Sequence, residues 1–319
     1  MDVAEQNKVS FIIPAKNEEQ RLCRCLSSIY QLYLENTEIE IIVVDNGSID
    51  NTVMVAEKLG AVVYRRPKDS VAGLRNFGAS KASGNHFVFV DADIELDRNF
   101  LHHASKQFNH PCVGVVTGKI LIPSDATWVE KTWVLNRRLH CKEQYINWSS
   151  SMNMMVRRDV FFYVGGFLAS MQTCEDVEFS LRVRERGYFI LYDYKAQVTH
   201  LGEAKTLLSF FLKERWRGLS SLLLIIEHPM NVRRWISFLQ FPFFLLSFMV
   251  MFISIILISF KAFIVSLLCL VLLPLLRSIL ISIKNRSVKN FFNLLAVWMV
   301  YYIARSVALT EEVASMMIK

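Results

Sequence analysis

Short apolar runs alternate with amphipathic stretches over the first two thirds of the chain. Val9–Ile13 is a mainly apolar run halted by Pro14, the pattern of a buried strand entering a loop. From Glu18 to Leu34 the apolar positions Leu22, Cys25, Leu26, Ile29 and Tyr33 recur at helical spacing. Glu40–Val44 reads as a second strand that stops at Asp45-Asn46-Gly47-Ser48. A helix over Asp50–Leu59, closed by Gly60, then a strand over Ala61–Tyr64 follow. Val71–Ala82 is helical, Gly84 breaks it, and the strand His86–Val90 runs into Asp91-Ala92-Asp93. This alternation predicts an α/β fold with a doubly wound, mostly parallel sheet flanked by helices. Ligands bind such sheets at the carboxyl ends of the strands, where Asp45 and Asp91 both fall. Further on, the pattern predicts a strand over Val113–Ile122, a helix over Trp128–Tyr145 and a helix over Cys174–Arg186. Strands near Tyr188–Tyr192 and Ala196–His200 follow.

Beyond Trp235 the pattern changes. Phe238–Phe260 is an uncharged apolar run long enough to cross a bilayer, and Ala262–Ile283, interrupted by Arg277, is a second. The basic loop Lys284–Lys289 is cytoplasmic by the positive-inside rule, which makes the two runs a hairpin with Lys261 on the far side. Phe291–Leu309 is apolar but carries Arg305, and its length favours a third span over an interfacial helix. The expected organisation is a globular domain over 1–205, an amphipathic juxtamembrane segment over 206–234, a membrane region of two or three helices over 235–310, and a tail over 311–319.

Composition supports this division. Hydrophobic residues make up 53% of the chain, an excess that sits in the C-terminal third. The net charge of +7 does not imply nucleic acid, because Lys213, Arg215, Arg217, Arg233, Arg234, Lys284, Arg286 and Lys289 flank the apolar region instead of forming one basic arm. That placement fits anionic lipid at a cytoplasmic membrane face. The six cysteines form neither a disulfide framework nor a CxxC zinc pattern, which points to a reducing compartment. The N-terminal residues have no apolar core, so no signal peptide is expected and the globular part is expected in the cytosol.

Five segments in order then resemble the family-two glycosyltransferases of the GT-A fold. They are Phe11–Glu18, Val43–Thr52, Phe89–Asp93, Cys174–Phe179 and Val198–His200. The resemblance covers about residues 9–217 and implies Mn2+ or Mg2+ bound by Asp93, with Asp91 on the ribose or a metal-bound water and His200 as a further ligand. Such a metal is held by one or two carboxylates together with phosphate oxygens, and it offsets the charge of a departing diphosphate. By the same resemblance Asp45 accepts a hydrogen bond from the nucleotide base, while Pro14, Ala15, Asn17 and Glu18 line base and ribose. Members commonly have a second Asp where this chain has Asn46. Gly73–Gly78 resembles a stretch that reaches back to the nucleotide, with Arg75 as a phosphate or base contact. Gly165-Gly166-Phe167 resembles a flexible floor of the sugar pocket.

Asp176 is implied as the base that takes the proton of the incoming hydroxyl, with Glu175 holding the acceptor or the loop. Processive synthases carry Gln-x-x-Arg-Trp; here Arg215-Trp216 are present but Leu212 replaces Gln, and Arg215 and Trp216 are assigned to the diphosphate or an anionic acceptor. The function expected is inverting transfer of a single sugar from a UDP- or GDP-sugar to a lipid-linked or glycan acceptor at the cytoplasmic face of the membrane, in surface polysaccharide or glycolipid assembly. A polyprenyl-phosphate sugar synthase is the alternative within the class. Ile94-Glu95-Leu96-Asp97 departs from the sequence such synthases usually have after the metal motif. A sugar nucleotidyltransferase and an inactive membrane scaffold are the alternatives outside it; the first lacks its Gly-rich loop here, and the intact Asp91, Asp93 and Asp176 oppose the second.

Overall fold

The computed structural model describes residues 7–136, 142–229 and 232–318. The chain divides into two compact units, one of Met1–Pro123 and Leu139–Gly202, the other of Ser124–Arg138 and Glu203–Lys319. Each is described by itself.

The first unit opens with β1 (Asn7–Ala15), α1 (Glu19–Tyr30), β2 (Thr37–Asp45), α2 (Thr52–Lys58), β3 (Val62–Arg65), α3 (Val71–Lys81) and β4 (His86–Val90). β1 pairs in parallel with β2 and β4, and β2 with β3, so this half is the parallel sheet that the alternation predicts. The chain continues through β5 (Ile94–Leu96), α4 (Phe100–Lys106) and β6 (Val113–Leu121), then α5 (Trp128–Val134) of the second unit. It returns as β7 (Gln144–Ile146), β8 (Asn153–Arg157), α6 (Arg158–Val164), α7 (Glu175–Glu185) and β9 (Phe189–His200). The order is β3-β2-β1-β4-β8-β6-β9-β5, with β7 also on β9. Beyond β4 the sheet is mixed: β8 is antiparallel to β4 and β6, and β5 and β7 to β9, while β6 and β9 run parallel.

Alternate residues of β1 face opposite layers. Val9, Phe11 and Ile13 pack with Leu22, Leu26 and Ile29 of α1 and Phe100 of α4. Ile12 packs on the other side with Leu74 of α3, Phe161 of α6 and Phe179 of α7. Each fully buried Leu, Ile or Phe contributes about 1.5–3 kcal/mol. Both layers hold the strand ends that carry Asp45, Asp91 and His200 in register.

The helix expected over Trp128–Tyr145 is shorter. A capping box of Thr127 and Glu130 starts α5, which ends at Val134, and Gln144–Ile146 pairs with β9 instead. A free strand edge outcompetes helical periodicity there; residues 137–141, including Cys141, lie outside the described residues. The two late strands expected separately form one strand, β9, whose pairing with β6 shifts register between Gly118 and Lys119.

The second unit holds α5, α8 (Leu207–Gly218), α9 (Ser221–Glu227), α10 (Val232–Ile256), α11 (Phe260–Lys284) and α12 (Phe291–Ile318). Trp235–Ile256, Phe260–Lys284 and Phe291–Met317 are long and apolar enough to cross a membrane. The first break falls earlier than the run of residues implies, because Ile258 has a φ of +52° and ends α10 before Phe260. Arg233 and Arg234 belong to α10, but their side chains lie outside those described.

Candidate functional site

The loops that follow β1 and β2 are tied to each other by backbone-to-side-chain bonds. Asp45, at the end of β2 and 1% exposed, accepts from the N–H of Gly47 at 3.0 Å and of Ser48 at 3.1 Å. Gly47 has a φ of +76°, which glycine adopts without steric cost, and a Cβ there would lie 3.2 Å from Pro67 Cβ. Pro14 and Ala15 lie opposite Val44 and Asp45 in the β1–β2 register. Asn17, itself at a φ of +55°, donates its backbone N–H to Ser48 Oγ and accepts from the Ile49 N–H, both at 2.9 Å. Glu18 donates its N–H to Thr52 Oγ1 at 2.8 Å. Asn46 explains itself: its amide donates to the carbonyls of Arg66 (3.2 Å) and Asp69 (2.9 Å), which a carboxylate cannot do.

Asp91 and Asp93 follow β4. β5 then pairs antiparallel with β9, placing Ile94 opposite His200. His200 Nε2 thereby comes within 3.2 Å of Asp93 Oδ2, and the Leu201 N–H donates to the Asp93 carbonyl at 2.8 Å. Gly202 has no counterpart in the sequence reading. A Cβ there would meet Asp93 Oδ2 at 1.7 Å, so the glycine leaves the room that the carboxylate occupies. No group of three or more His, Cys, Asp or Glu gathers for a metal among the described residues. A carboxylate beside an imidazole nevertheless fits a hard divalent cation whose other positions are filled by diphosphate oxygens and water.

Arg75 joins the two acidic motifs. It is buried on α3, and its guanidinium donates to Asp91 Oδ1 and to Glu175 Oε1, both at 2.6 Å. Its Nε–H has no acceptor among the described residues. The sequence placed Arg75 against phosphate or base; two of its nitrogens are taken by protein carboxylates. Glu175 and Asp176 open α7 after Cys174, which has a φ of +64°. Asp176 accepts from the N–H of Val177 at 2.7 Å and of Ser151 at 3.3 Å. Burial, then the charge of Asp176, push the Glu175 carboxyl up to about 7 against the pull of Arg75. Burial also raises Asp176, opposed first by Arg75 and then by the two backbone donors.

Gly165-Gly166-Phe167 is pinned. Asn76 donates to the Phe167 carbonyl at 2.7 Å and accepts from its N–H at 2.9 Å, while Arg182 donates to the carbonyls of Val164 and Gly166. Asn76 was visible in the sequence as part of Gly73–Gly78, but its partner was not.

Arg215 and Trp216 belong to the second unit. Arg215 Nε pairs with Glu311 at 2.9 Å, and Trp216 is half exposed on α8. In the same unit Glu214, fully buried, accepts from Arg217 at 2.7 Å and from Arg305 at 2.9 Å. The Glu312 carboxylate accepts from the N–H groups of Leu222 and Leu223, each at 3.0 Å.

Residues 10–173, just over half of the chain, match the model described as Glycosyl transferase family 2. The chain belongs to that family. Glycosyltransferase AglE of Haloferax volcanii is 25% identical over 193 residues, which cover 58% of this chain and 64% of that protein. The poly-beta-1,6-N-acetyl-D-glucosamine synthase of Staphylococcus aureus is 25% identical over 207 residues, covering 60% of this chain and 50% of the synthase. The family-2 chain thus spans from half to just under two thirds of the length of these curated relatives. A mannosyltransferase from Pyrobaculum calidifontis, solved in complex with GDP-Man and Mn2+, aligns over 98% of this chain and 88% of its own with a TM-score of 0.63. At 15% identity that likeness is one of fold. The α/β sheet with flanking helices, followed in sequence by apolar helices, is therefore the GT-A arrangement that the motifs implied.

Proposed function

We propose that this family-2 protein is an inverting glycosyltransferase that moves one sugar from a nucleoside-diphosphate sugar to a lipid-linked acceptor at the cytoplasmic membrane face. The observation that carries the reading is the Arg75 bridge, which ties the Asp91-Ala92-Asp93 turn to the start of α7 and so makes the two acidic motifs one site. Pro14, Ala15, Asn17, Glu18 and Asp45 form the nucleotide side, supported by their shared loop bonds. Asp93 and His200 would hold Mn2+ or Mg2+, and a bound cation would offset charge on the departing diphosphate. Mn2+ and GDP-Man in the Pyrobaculum calidifontis mannosyltransferase support a nucleoside-diphosphate sugar donor and a divalent cation.

Asp176 removes the proton from the acceptor hydroxyl as the new glycosidic bond forms and the diphosphate leaves. The N–H groups of Val177 and Ser151 aim its carboxylate, and Arg75 limits how far burial raises the pair. A carboxylate lifted towards working pH is a stronger base than a solvated one and is still ionised in part. The apolar helices support a multi-pass membrane protein and a lipid-borne acceptor. The synthase relative supports a product in surface polysaccharide assembly, and Leu212 in place of the processive Gln supports a single transfer.

Membranes containing the full chain, incubated with radiolabelled UDP- and GDP-sugars and Mn2+, should pass label into butanol-extractable lipid. Label in a polymer would overturn single transfer, and pyrophosphate release would point to a nucleotidyltransferase. No product with any donor would leave a scaffold.

A further inference from the structure

α12 is long and apolar enough to cross a membrane, yet contacts along its length tie it to elements that precede the first apolar helix. α10 and α11 set the reference. Gln240 accepts from Arg277 at 3.4 Å, about 12 Å along α10 from Val232 and about 10 Å along α11 from Lys284 at 1.5 Å per residue. The two helices are therefore antiparallel with Val232 and Lys284 level, a hairpin that enters and leaves the bilayer on one side. α5, α8 and α9 all precede α10, and at 7, 12 and 7 residues each is too short to cross. They mark the side on which α10 starts.

The approach to α12 is held on that side, because the Asn285 amide donates to the carbonyl of Leu135 at the end of α5 at 3.4 Å. The rest of the helix is held there too. Val297 packs with Val129 of α5 and Phe210 of α8, and Trp298 and Tyr301 meet Trp133 of α5. Arg305 pairs with Glu214, and a Cβ on Gly218 would meet Ala308 Cβ at 2.5 Å. Glu311 pairs with Arg215, and Glu312 accepts from the N–H groups of Leu222 and Leu223 in α9. A span begun at Phe291 would carry Glu312 about 31 Å away, the full thickness of the hydrocarbon core. α9, which ends at Glu227 just before α10, would then be out of its reach.

The face of α12 turned away from these contacts suits lipid. Phe292, Ile303, Thr310 and Met317 recur at intervals of eleven, seven and seven residues, one helical face, and all are exposed. Val297, Ala304, Ala308 and Glu312 fall on the opposite face and are buried. Exposed Lys284, Arg286 and Lys289 immediately before α12 supply cations that anionic headgroups attract. We propose that α12 does not cross the membrane but lies along the surface from which α10 enters, its Phe292–Met317 stripe set into the boundary between headgroups and acyl chains. The described helices then cross the bilayer twice, and α12 ends on the same side as Val232. The proposal rests on α10 and α11 crossing as a hairpin and not on sugar transfer.

Topology reporters on the full chain in a bacterial inner membrane read this directly. Green fluorescent protein fluoresces only on the cytoplasmic side, and alkaline phosphatase is active only on the far side. Each is fused before Met1, inserted between Ile258 and Ser259, or appended after Lys319. Fluorescence is expected at both ends of the chain and phosphatase activity at the insertion. Phosphatase activity after Lys319 would make α12 a third span and overturn the proposal. Fluorescence at the insertion would instead show that the hairpin does not cross, which removes the premise as well. Lipid contact is read in proteoliposomes by phospholipids carrying a photoreactive diazirine beside the headgroup or at the chain end, with labelled peptides mapped by mass spectrometry. Peptides of α12 should take several-fold more label from the headgroup probe than from the chain-end probe, and those of α10 and α11 should take label from both. Chain-end labelling centred on Ile303, or no labelling of α12 by either probe, would contradict the surface placement.

Discussion

Arg75 opposes the burial that raises the proposed base pair, because it is the cation that faces both Glu175 and, less directly, Asp176. A base works only when ionised, so the transfer rate should fall as pH drops through the apparent pKa of the pair. Glu175→Gln removes a negative charge that disfavours ionisation of Asp176, and the acid limb of the rate–pH profile should move to lower pH. Arg75→Met removes the opposing cation and should move the limb up. Unshifted limbs in both variants would remove Arg75 and Glu175 from the acceptor chemistry. At this scale the sequence was most legible where a residue type is tied to a strand end, as with Asp45, Asp91 and Asp93. It was least legible where a side chain's partner lies far along the chain. Nothing local to Arg75 indicates Glu175, and nothing local to Asn46 indicates the carbonyls of Arg66 and Asp69. Gly202 carried a signal, a glycine two residues past a strand-ending His200, that the motif reading passed over.

Among the elements, the early strands and helices follow directly from periodicity because each is buried on a face its own residues define. β7 does not, since its three residues earn strand geometry only from the edge of β9. α12 reads ambiguously because of Arg305, whose counter-charge lies far along the chain. Arg305 opposes burial in lipid, but Glu214 of α8 takes up its charge, and Gly218 lets Ala308 approach closely. Glu311 and Glu312, also within the apolar stretch, bind Arg215 and the backbone at the start of α9. The C-terminal half of α12 is thus stapled to α8 and α9 of its own unit. Arg305→Ala leaves Glu214 buried with Arg217 as its remaining cation, a cost below the about 3–5 kcal/mol of an uncompensated buried charge. Thermal unfolding in detergent should show a clearly lowered Tm for Arg305→Ala and a smaller loss for Arg305→Lys. An unchanged Tm would mean the staple contributes nothing to stability.

For the molecule as a whole, composition marks a change to apolar sequence beyond Trp235, and the sequence reading kept residues 124–138 in the globular domain. Contacts group Ser124–Arg138 with the C-terminal unit, through the packing of Val129 with Phe210 and Val297. That grouping depends on side chains more than eighty residues apart, which no window of sequence displays. The central proposal is that donor binding and proton removal belong to different carboxylates of one Arg75-linked site. Asp176→Asn separates them most directly, measured as donor-nucleotide affinity and sugar transfer in the same preparation. The expected result is wild-type affinity for the donor in the presence of Mn2+ with transfer reduced by about 10²–10⁴-fold, the usual worth of a general base. Transfer within a few-fold of wild type would contradict the account.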